Sequence, residues 1–155
     1  MADGIAIERA SQRHLDAIEE IEQESFPEPW RREFFRSEIA AEGRFNLIAR
    51  RGRTVVGFMF SMWIFDELHV NKIAVTALAR RQGIADSLMD RCFEFARQRD
   101  VRSIFLEVRE SNHGARAFYL RLGFTSSYIR PRYYPDGEAA VVMMLTLPAA
   151  GEPPG

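Results

Sequence analysis

The chain has 155 residues, 46% hydrophobic and 28% charged, with a formal net charge of −1 and a pI near 6.3. That is enough for one ordinary domain with a substantial core, and it supplies no global basic field for nucleic acid. The single cysteine excludes an internal disulfide and a cysteine-built metal cluster.

Apolar runs such as Val55 to Phe65 are too short and interrupted to span a bilayer, so no membrane partner is expected. The start, Met1-Ala2-Asp3-Gly4, lacks the basic region and apolar stretch of a secretory leader. A reducing cytoplasm is the expected location. A monomer is expected, with oligomeric state left open.

Gly4 to Arg9 alternates, with Ile5 and Ile7 on one face, and predicts a first strand. Ser11 follows as an N-cap, with His14 at N3 where a capping box usually has glutamate. Leu15, Ile18, Ile21 and Phe26 form the apolar stripe of the helix, and Glu19, Glu20, Glu22 and Glu24 read as its solvated face. Phe26-Pro27-Glu28-Pro29-Trp30 ends that helix, because proline cannot continue it. Arg31 to Ala41 predicts a second helix with Phe34, Phe35 and Ile39 inward. The two helices and their aromatic connector form either one wall of a substrate groove or a packed linker.

Arg44 to Arg50 alternates, with Phe45, Leu47 and Ala49 on one side. Arg51-Gly52-Arg53 turns it into a strand from Thr54 to Phe65, where Gly57 marks a close approach or a bulge. Asp66-Glu67 predicts the next turn, and Leu68 to Thr76 the central strand. Ile84, Ala85, Leu88, Met89, Cys92, Phe95 and Ala96 recur at helical spacing and make one apolar face. Ser103 to Arg109 is a strand with Phe105, Glu107 and Arg109 on one face. Asn112 to Leu122 is a helix with Ala115, Phe118, Tyr119 and Leu122 apolar and Gly123 as its C′ residue. Phe124 to Ile129 and Glu138 to Leu147 are the last strands, and Pro148 to Gly155 is a disordered tail by composition. The order β-α-α-β-β-β-α-β-α-β-β predicts an α/β fold with a mixed, mostly antiparallel sheet, one parallel β-α-β pair and helices on both faces.

The turn between the central strand and the long helix reads Arg80-Arg81-Gln82-Gly83-Ile84-Ala85. Glycine and a small residue at a helix start let backbone N–H groups approach a ligand, at the positive end of the helix dipole. Two arginines add forked donors. This composition suits a pyrophosphate, and equally a plain turn with solvated arginines.

Arg80-x-x-Gly83-x-Ala85, after a strand ending Ile73-Ala74-Val75, resembles the pyrophosphate-binding signature of the GCN5-related N-acetyltransferase (GNAT) family. Three further blocks carry the resemblance from Ile5 to Leu147, closest to the branch that acetylates ribosomal-protein alanine. They are Leu106-Glu107-Val108-Arg109-Glu110-Ser111-Asn112, Ala117 to Phe124, and Arg132-Tyr133-Tyr134-Pro135-Asp136-Gly137.

The resemblance implies one acetyltransferase domain over residues 1–148 with the GNAT fold. It implies acetyl-CoA as co-substrate, held by Ile73, Ala74, Val75, Arg80, Arg81, Gln82, Gly83, Ile84, Ala85, Asp86 and Asn112. It makes Glu107 the general base and Tyr119 the general acid. The acceptor, a ribosomal protein's N-terminus, would meet Trp30, Tyr133 and Tyr134, with Asp66, Glu67 and Asp136 adding negative charge that favours a basic peptide. The rival readings are transfer to a small amine or a lysine, and a non-catalytic acyl-CoA-binding module.

Each assignment has a plainer counterpart. Glu107 could pair with a nearby arginine, Tyr119 could be core, and Asn112 could be a simple N-cap. Cys92, mid-helix on an apolar face with no histidine at helical spacing, is an inert hydrophobe rather than a nucleophile. His14, His69 and His113 lack metal-ligand spacing, and no metal is expected. Three features depart from the family pattern, the first being Ala85 in place of the commoner glycine, a change the family tolerates. Asp86 stands where a basic residue is common, and the Phe26 to Trp30 connector is longer than the usual Phe-Pro-Trp.

Overall fold

The computed structural model describes residues 4–149, so the predicted tail beyond Ala149 lies outside it. Seven strands form one mixed sheet in the order β1-β2-β3-β4-β5-β7-β6. They are β1 (Ile5–Arg9), β2 (Leu47–Arg51), β3 (Thr54–Ile64), β4 (Glu67–Val75), β5 (Ser103–Arg109), β6 (Thr125–Arg130) and β7 (Ala140–Thr146). The helices are α1 (Leu15–Ser25), α2 (Arg32–Ala40), α3 (Ile84–Gln98) and α4 (His113–Arg121). The mostly antiparallel sheet with one parallel pair and flanking helices is the architecture implied by the resemblance. Packing divides the chain into two compact units: residues up to Trp63 with Val70–Phe95, and Ile64–His69 with the residues from Ala96 onward.

In the first unit, β2 pairs antiparallel with β1 on one side and with β3, its hairpin partner, on the other. Its core gathers Leu15, Ile18, Ile21, Phe35, Ile48, Phe58, Phe60 and Ala74, with Phe26, Trp30 and Ile39 packed against it. Phe35 is fully buried, with its ring 5.0 to 5.7 Å from those of Trp30, Phe58 and Phe60. Burying a side chain of this size contributes about 1.5–3 kcal/mol. The predicted face of α3 is inward, and Phe95 stacks on Phe45 at 3.9 Å. Gly57 is a close approach: a Cβ there would lie 3.0 Å from the Ala74 carbonyl oxygen. The β2–β3 register also slips just beyond its partner Ala49.

Several local expectations change. The predicted first helix begins as a 3-10 turn, Gln12–His14, in which Ser11 N–H donates to His14 Nδ1 at 3.0 Å. His14 thus serves the capping box as an acceptor, and burial, then Arg13, lowers its pKa to keep it neutral. Glu22 is buried rather than solvated, because Lys72 neutralises it. Glu24 caps the Ala77 N–H. Phe34 is exposed and rests edge-on against Trp30, since α2 turns only Phe35 fully inward. The residues from Phe45 to Ala49 are all buried, so alternation there does not separate core from solvent. Phe65 and Asp66, not Asp66 and Glu67, make the β3–β4 turn. Phe65 takes φ 54°, and Glu67 opens β4.

In the second unit, β7 pairs antiparallel with both β5 and β6. Ile104, Leu106 and Val108 of β5 are buried, leaving Phe105, Glu107 and Arg109 half-buried on the other face. Asn112 caps α4 by accepting the Ala115 N–H at 3.1 Å, and Gly123 ends it at φ 103°.

Candidate active site

The strongest polar constellation in the second unit centres on Glu107. The pleat of β5 places its side chain on the face opposite the buried Leu106 and Val108, where it is 11% exposed. His69 Nε2, from β4, lies 2.5 Å from Glu107 Oε2, and Arg130 Nε, from β6, lies 3.8 Å from Oε1. The His69 ring stacks on Phe105 at 4.6 Å and 12°. Burial alone would raise the Glu107 pKa. The His69 hydrogen bond and then the Arg130 charge outweigh it and hold the carboxyl below its ordinary value. Glu107 is therefore an ionised acceptor at neutral pH, partnered by a histidine as well as by an arginine.

The β6–β7 connector lies in the same unit. Tyr133 and Tyr134 N–H groups both donate to the Glu138 carbonyl, and Gly137 N–H donates to that of Tyr134. Burial, then the Glu107 charge, raises the Tyr133 pKa. Burial pushes Tyr134 up to about 12. Both phenols are protonated donors at neutral pH. Arg109 binds Asp136 at 2.8 Å and Glu138 at 3.1 Å, and its guanidinium lies 4.1 Å above the Tyr134 ring. One guanidinium thus faces two carboxylates, and the Arg109–Asp136–Glu138 cluster keeps a net negative charge. Glu67 is exposed at the first residue of β4, two positions before His69. Tyr119 is buried on α4, with rings of Phe118 and Phe124 at 5.1 and 5.6 Å. Asn112 Oδ1 is occupied by its capping bond.

The first unit carries the basic turn. After Ile73, Ala74 and Val75 of β4, a 3-10 turn over Ala77–Ala79 leads into Arg80. Arg80 Nε donates back to the Val75 carbonyl at 3.0 Å. Arg81 and Gly83 take φ 62° and 79°, and Gln82 is braced by Arg51 and by the Leu78 carbonyl. The Gly83 carbonyl accepts both Ser87 N–H and Ser87 Oγ–H, starting the α3 ladder. The first turn of any α-helix presents N–H groups that lack an acceptor further back in the helix. Glycine at a left-handed position beside a helix start, flanked by arginines, is a donor set that fits a pyrophosphate. Asp86 lies in that first turn, where the dipole favours a carboxylate. Its presence there has a helix-stabilising reason.

Trp30 is half-buried, and its N–H donates to Glu22 Oε2 at 2.9 Å. Cys92 is buried, and burial pushes its thiol up to about 12, which suits an inert hydrophobe. Among the described residues, no group of three or more His, Cys, Asp or Glu could hold a metal ion, and no helix is long and apolar enough to cross a membrane.

Sequence reasoning allowed for an arginine beside Glu107 without naming Arg130, and it missed His69 as a partner of Glu107 and Lys72 as the partner of Glu22. For Lys72 the available signal was strand alternation, which puts it on the apolar face of Leu68, Val70 and Ala74.

The fold and these residues define an acyl-group transferase of a recognisable kind. A model of the acetyltransferase (GNAT) family matches residues 15–124, and the chain belongs to that family. It is an acetyl-CoA-dependent N-acetyltransferase. The [ribosomal protein bS18]-alanine N-acetyltransferase of Escherichia coli K12 is 34% identical over 136 residues, covering 86% of this chain and 91% of that protein. The crystal structure of the E. coli ribosomal-protein-S18-alanine N-acetyltransferase matches with a TM-score of 0.88 at 33% identity, covering 96% and 97% of the two chains. Ard1 from Thermoplasma volcanium matches with a TM-score of 0.86 at 26% identity, covering 93% and 98%.

Proposed function

We propose that this enzyme acetylates the α-amine of an N-terminal alanine on a small-subunit ribosomal protein, of the bS18 kind named for its relatives. Transfer would be direct, within a ternary complex. The observation that carries this reading is end-to-end likeness, at 30–34% identity, to proteins bearing that name. Residues 1–148 would act as one domain, in the cytoplasm, as a monomer, without a metal, nucleic acid or a membrane.

Acetyl-CoA, when bound, supplies the thioester carbonyl that the amine attacks. The turn from Arg80 to Ala85, with Asp86, would hold its pyrophosphate through backbone N–H groups and guanidinium charge. Ile73, Ala74 and Val75 would present backbone groups, and Asn112 its amide, to the pantetheine arm.

An α-amine has a pKa of about 7.7–8.0, so deprotonating it near neutrality costs only about 1 kcal/mol, against roughly 4–5 kcal/mol for a lysine. Glu107 would take that proton, directly or through a water, with His69 and Arg130 fixing its two oxygens. Tyr119 would donate its phenolic proton to the departing thiolate. Trp30, Glu67, Tyr133 and Tyr134 would meet the acceptor, the tyrosines offering apolar area and a hydroxyl to peptide backbone.

The test is radiolabelled acetyl transfer to an Ala-first peptide, the same peptide Nα-blocked with free lysines, and a panel of small amines. Label on the Ala-first peptide alone is expected. Equal label on the blocked peptide or preference for a small amine would overturn the acceptor, and no transfer to any amine would favour a binding module.

A further inference from the structure

Lys72 is the single lysine among the 21 Lys and Arg residues, and it is only 12% exposed. Its Nζ lies 2.6 Å from Glu22 Oε2 and 3.9 and 4.3 Å from the ring centroids of Phe26 and Trp30. The same Oε2 accepts the Trp30 N–H at 2.9 Å. One carboxylate oxygen therefore ties together α1, the connector to α2, and β4, immediately before Ile73. Glu22 is fully buried, and its other oxygen, Oε1, has no hydrogen-bond partner within the protein.

Stability alone does not account for this arrangement. Removing two charges from water is costly, and apolar residues of the same volume commonly serve a core as well or better. A buried carboxylate with one oxygen unpartnered adds to that cost. What the ion pair provides, and a Leu–Met pair would not, is direction. It fixes the Trp30 backbone and faces two aromatic rings onto one ammonium. The connector needs such a fixture. Two of its residues, Pro27 and Pro29, carry no N–H, and the Trp30 indole also packs against the rings of Phe34 and Phe35.

We propose that Glu22 and Lys72 are positioning residues for the acceptor: they set the place of Trp30 and the connector, and through it the affinity and first-residue selection for the amine substrate. This rests on the reading that the connector borders the acceptor. It assigns the pair no contact with acetyl-CoA and no proton transfer.

The test compares the parent with the charge-free double variant Glu22→Leu/Lys72→Met and with Lys72→Arg, which keeps the charge and the stacking. Melting temperature, acetyl-CoA Kd by calorimetry, and kcat and KM for peptides beginning with Ala or with Leu are measured. In the double variant, melting should stay close to the parent and acetyl-CoA Kd within about twofold. KM for the Ala-first peptide should rise about tenfold or more with kcat within about threefold, and the preference for Ala over Leu should shrink. Lys72→Arg should restore most of the KM. Unchanged KM and selectivity in a folded double variant would overturn the proposal. So would a double variant that does not fold, or one that loses acetyl-CoA affinity in parallel, since the pair would then be a general structural element. If the parent prefers a small amine to any peptide, the ribosomal-protein reading fails, and the same KM comparison is made on that amine.

Discussion

Glu107→Gln isolates proton transfer with little change in shape. An amide has nearly the volume of the carboxylate, so β5 and its register with β7 should persist, but it cannot act as a base. Loss of a general base lowers turnover by about 10²–10⁴-fold, which at 1.36 kcal/mol per decade is roughly 3–5 kcal/mol of barrier. The same change removes the charged acceptor from the 2.5 Å contact with His69 Nε2. A hydrogen bond to a charged group contributes about 1.5–3 kcal/mol, so for a chain of this length the melting temperature should fall by roughly 3–12 °C at neutral pH. His69 and Arg130 hold the folded carboxyl below its ordinary value. Its contribution to stability is therefore present above the unfolded pKa of about 4.3 and is lost as pH falls through the lower folded value. The melting gap between parent and variant should narrow below about pH 4. Parent kcat/KM should rise with pH as the acceptor amine deprotonates, near pH 7.7–8.0, well above the ionisation of Glu107. Single-turnover transfer of labelled acetyl, with acetyl-CoA binding measured in parallel, reads these effects. A variant that binds acetyl-CoA normally and keeps more than about a tenth of parental turnover would refute the assignment of Glu107 as base.

Three other substitutions probe different parts. Tyr119→Phe should keep acetyl-CoA affinity and lower turnover by about 10²–10⁴-fold; near-normal turnover would refute its assignment as the general acid and return it to the core beside Phe118 and Phe124. Gly83→Asp places a side chain and a negative charge at φ 79° beside the helix start, so calorimetry should show acetyl-CoA binding lost while far-UV dichroism stays native; unchanged affinity would sink the pyrophosphate assignment. Phe35→Ala empties the centre of the first unit's aromatic cluster and should cost about 3–5 kcal/mol in denaturant unfolding; a loss below about 1 kcal/mol would contradict the packing described.

Most of what the residues determine unaided is local. Helical spacing along Ile84 to Ala96 defines α3 and its buried face, because side chains three and four apart share a face whatever lies opposite. Asn112 and Gly123 mark the ends of α4, since a cap needs only its own turn. Gly57 announces a close approach without saying to what; the Ala74 carbonyl answers that only in three dimensions. The Arg80 to Ala85 turn, together with the blocks at 106–112, 117–124 and 132–137, carries the resemblance to the family.

Charge pairing is decided by tertiary structure. Glu22 sits among Glu19, Glu20 and Glu24, and a charged side chain is ordinarily assigned to solvent, although helical spacing sets Glu22 on the stripe of Leu15 and Ile18; Lys72, fifty residues on, is what lets it stay inside. His69 is 38 residues from Glu107, and nothing between them encodes which strands will place Nε2 against Oε2. Asp136 reads as free negative charge until Arg109 is found beside it. The physical reason is common to all three. A side chain's solvation and charge partners depend on contacts made across strands and turns, at separations where the intervening sequence exerts no geometric constraint, whereas a helix cap or an apolar face is settled within a few residues.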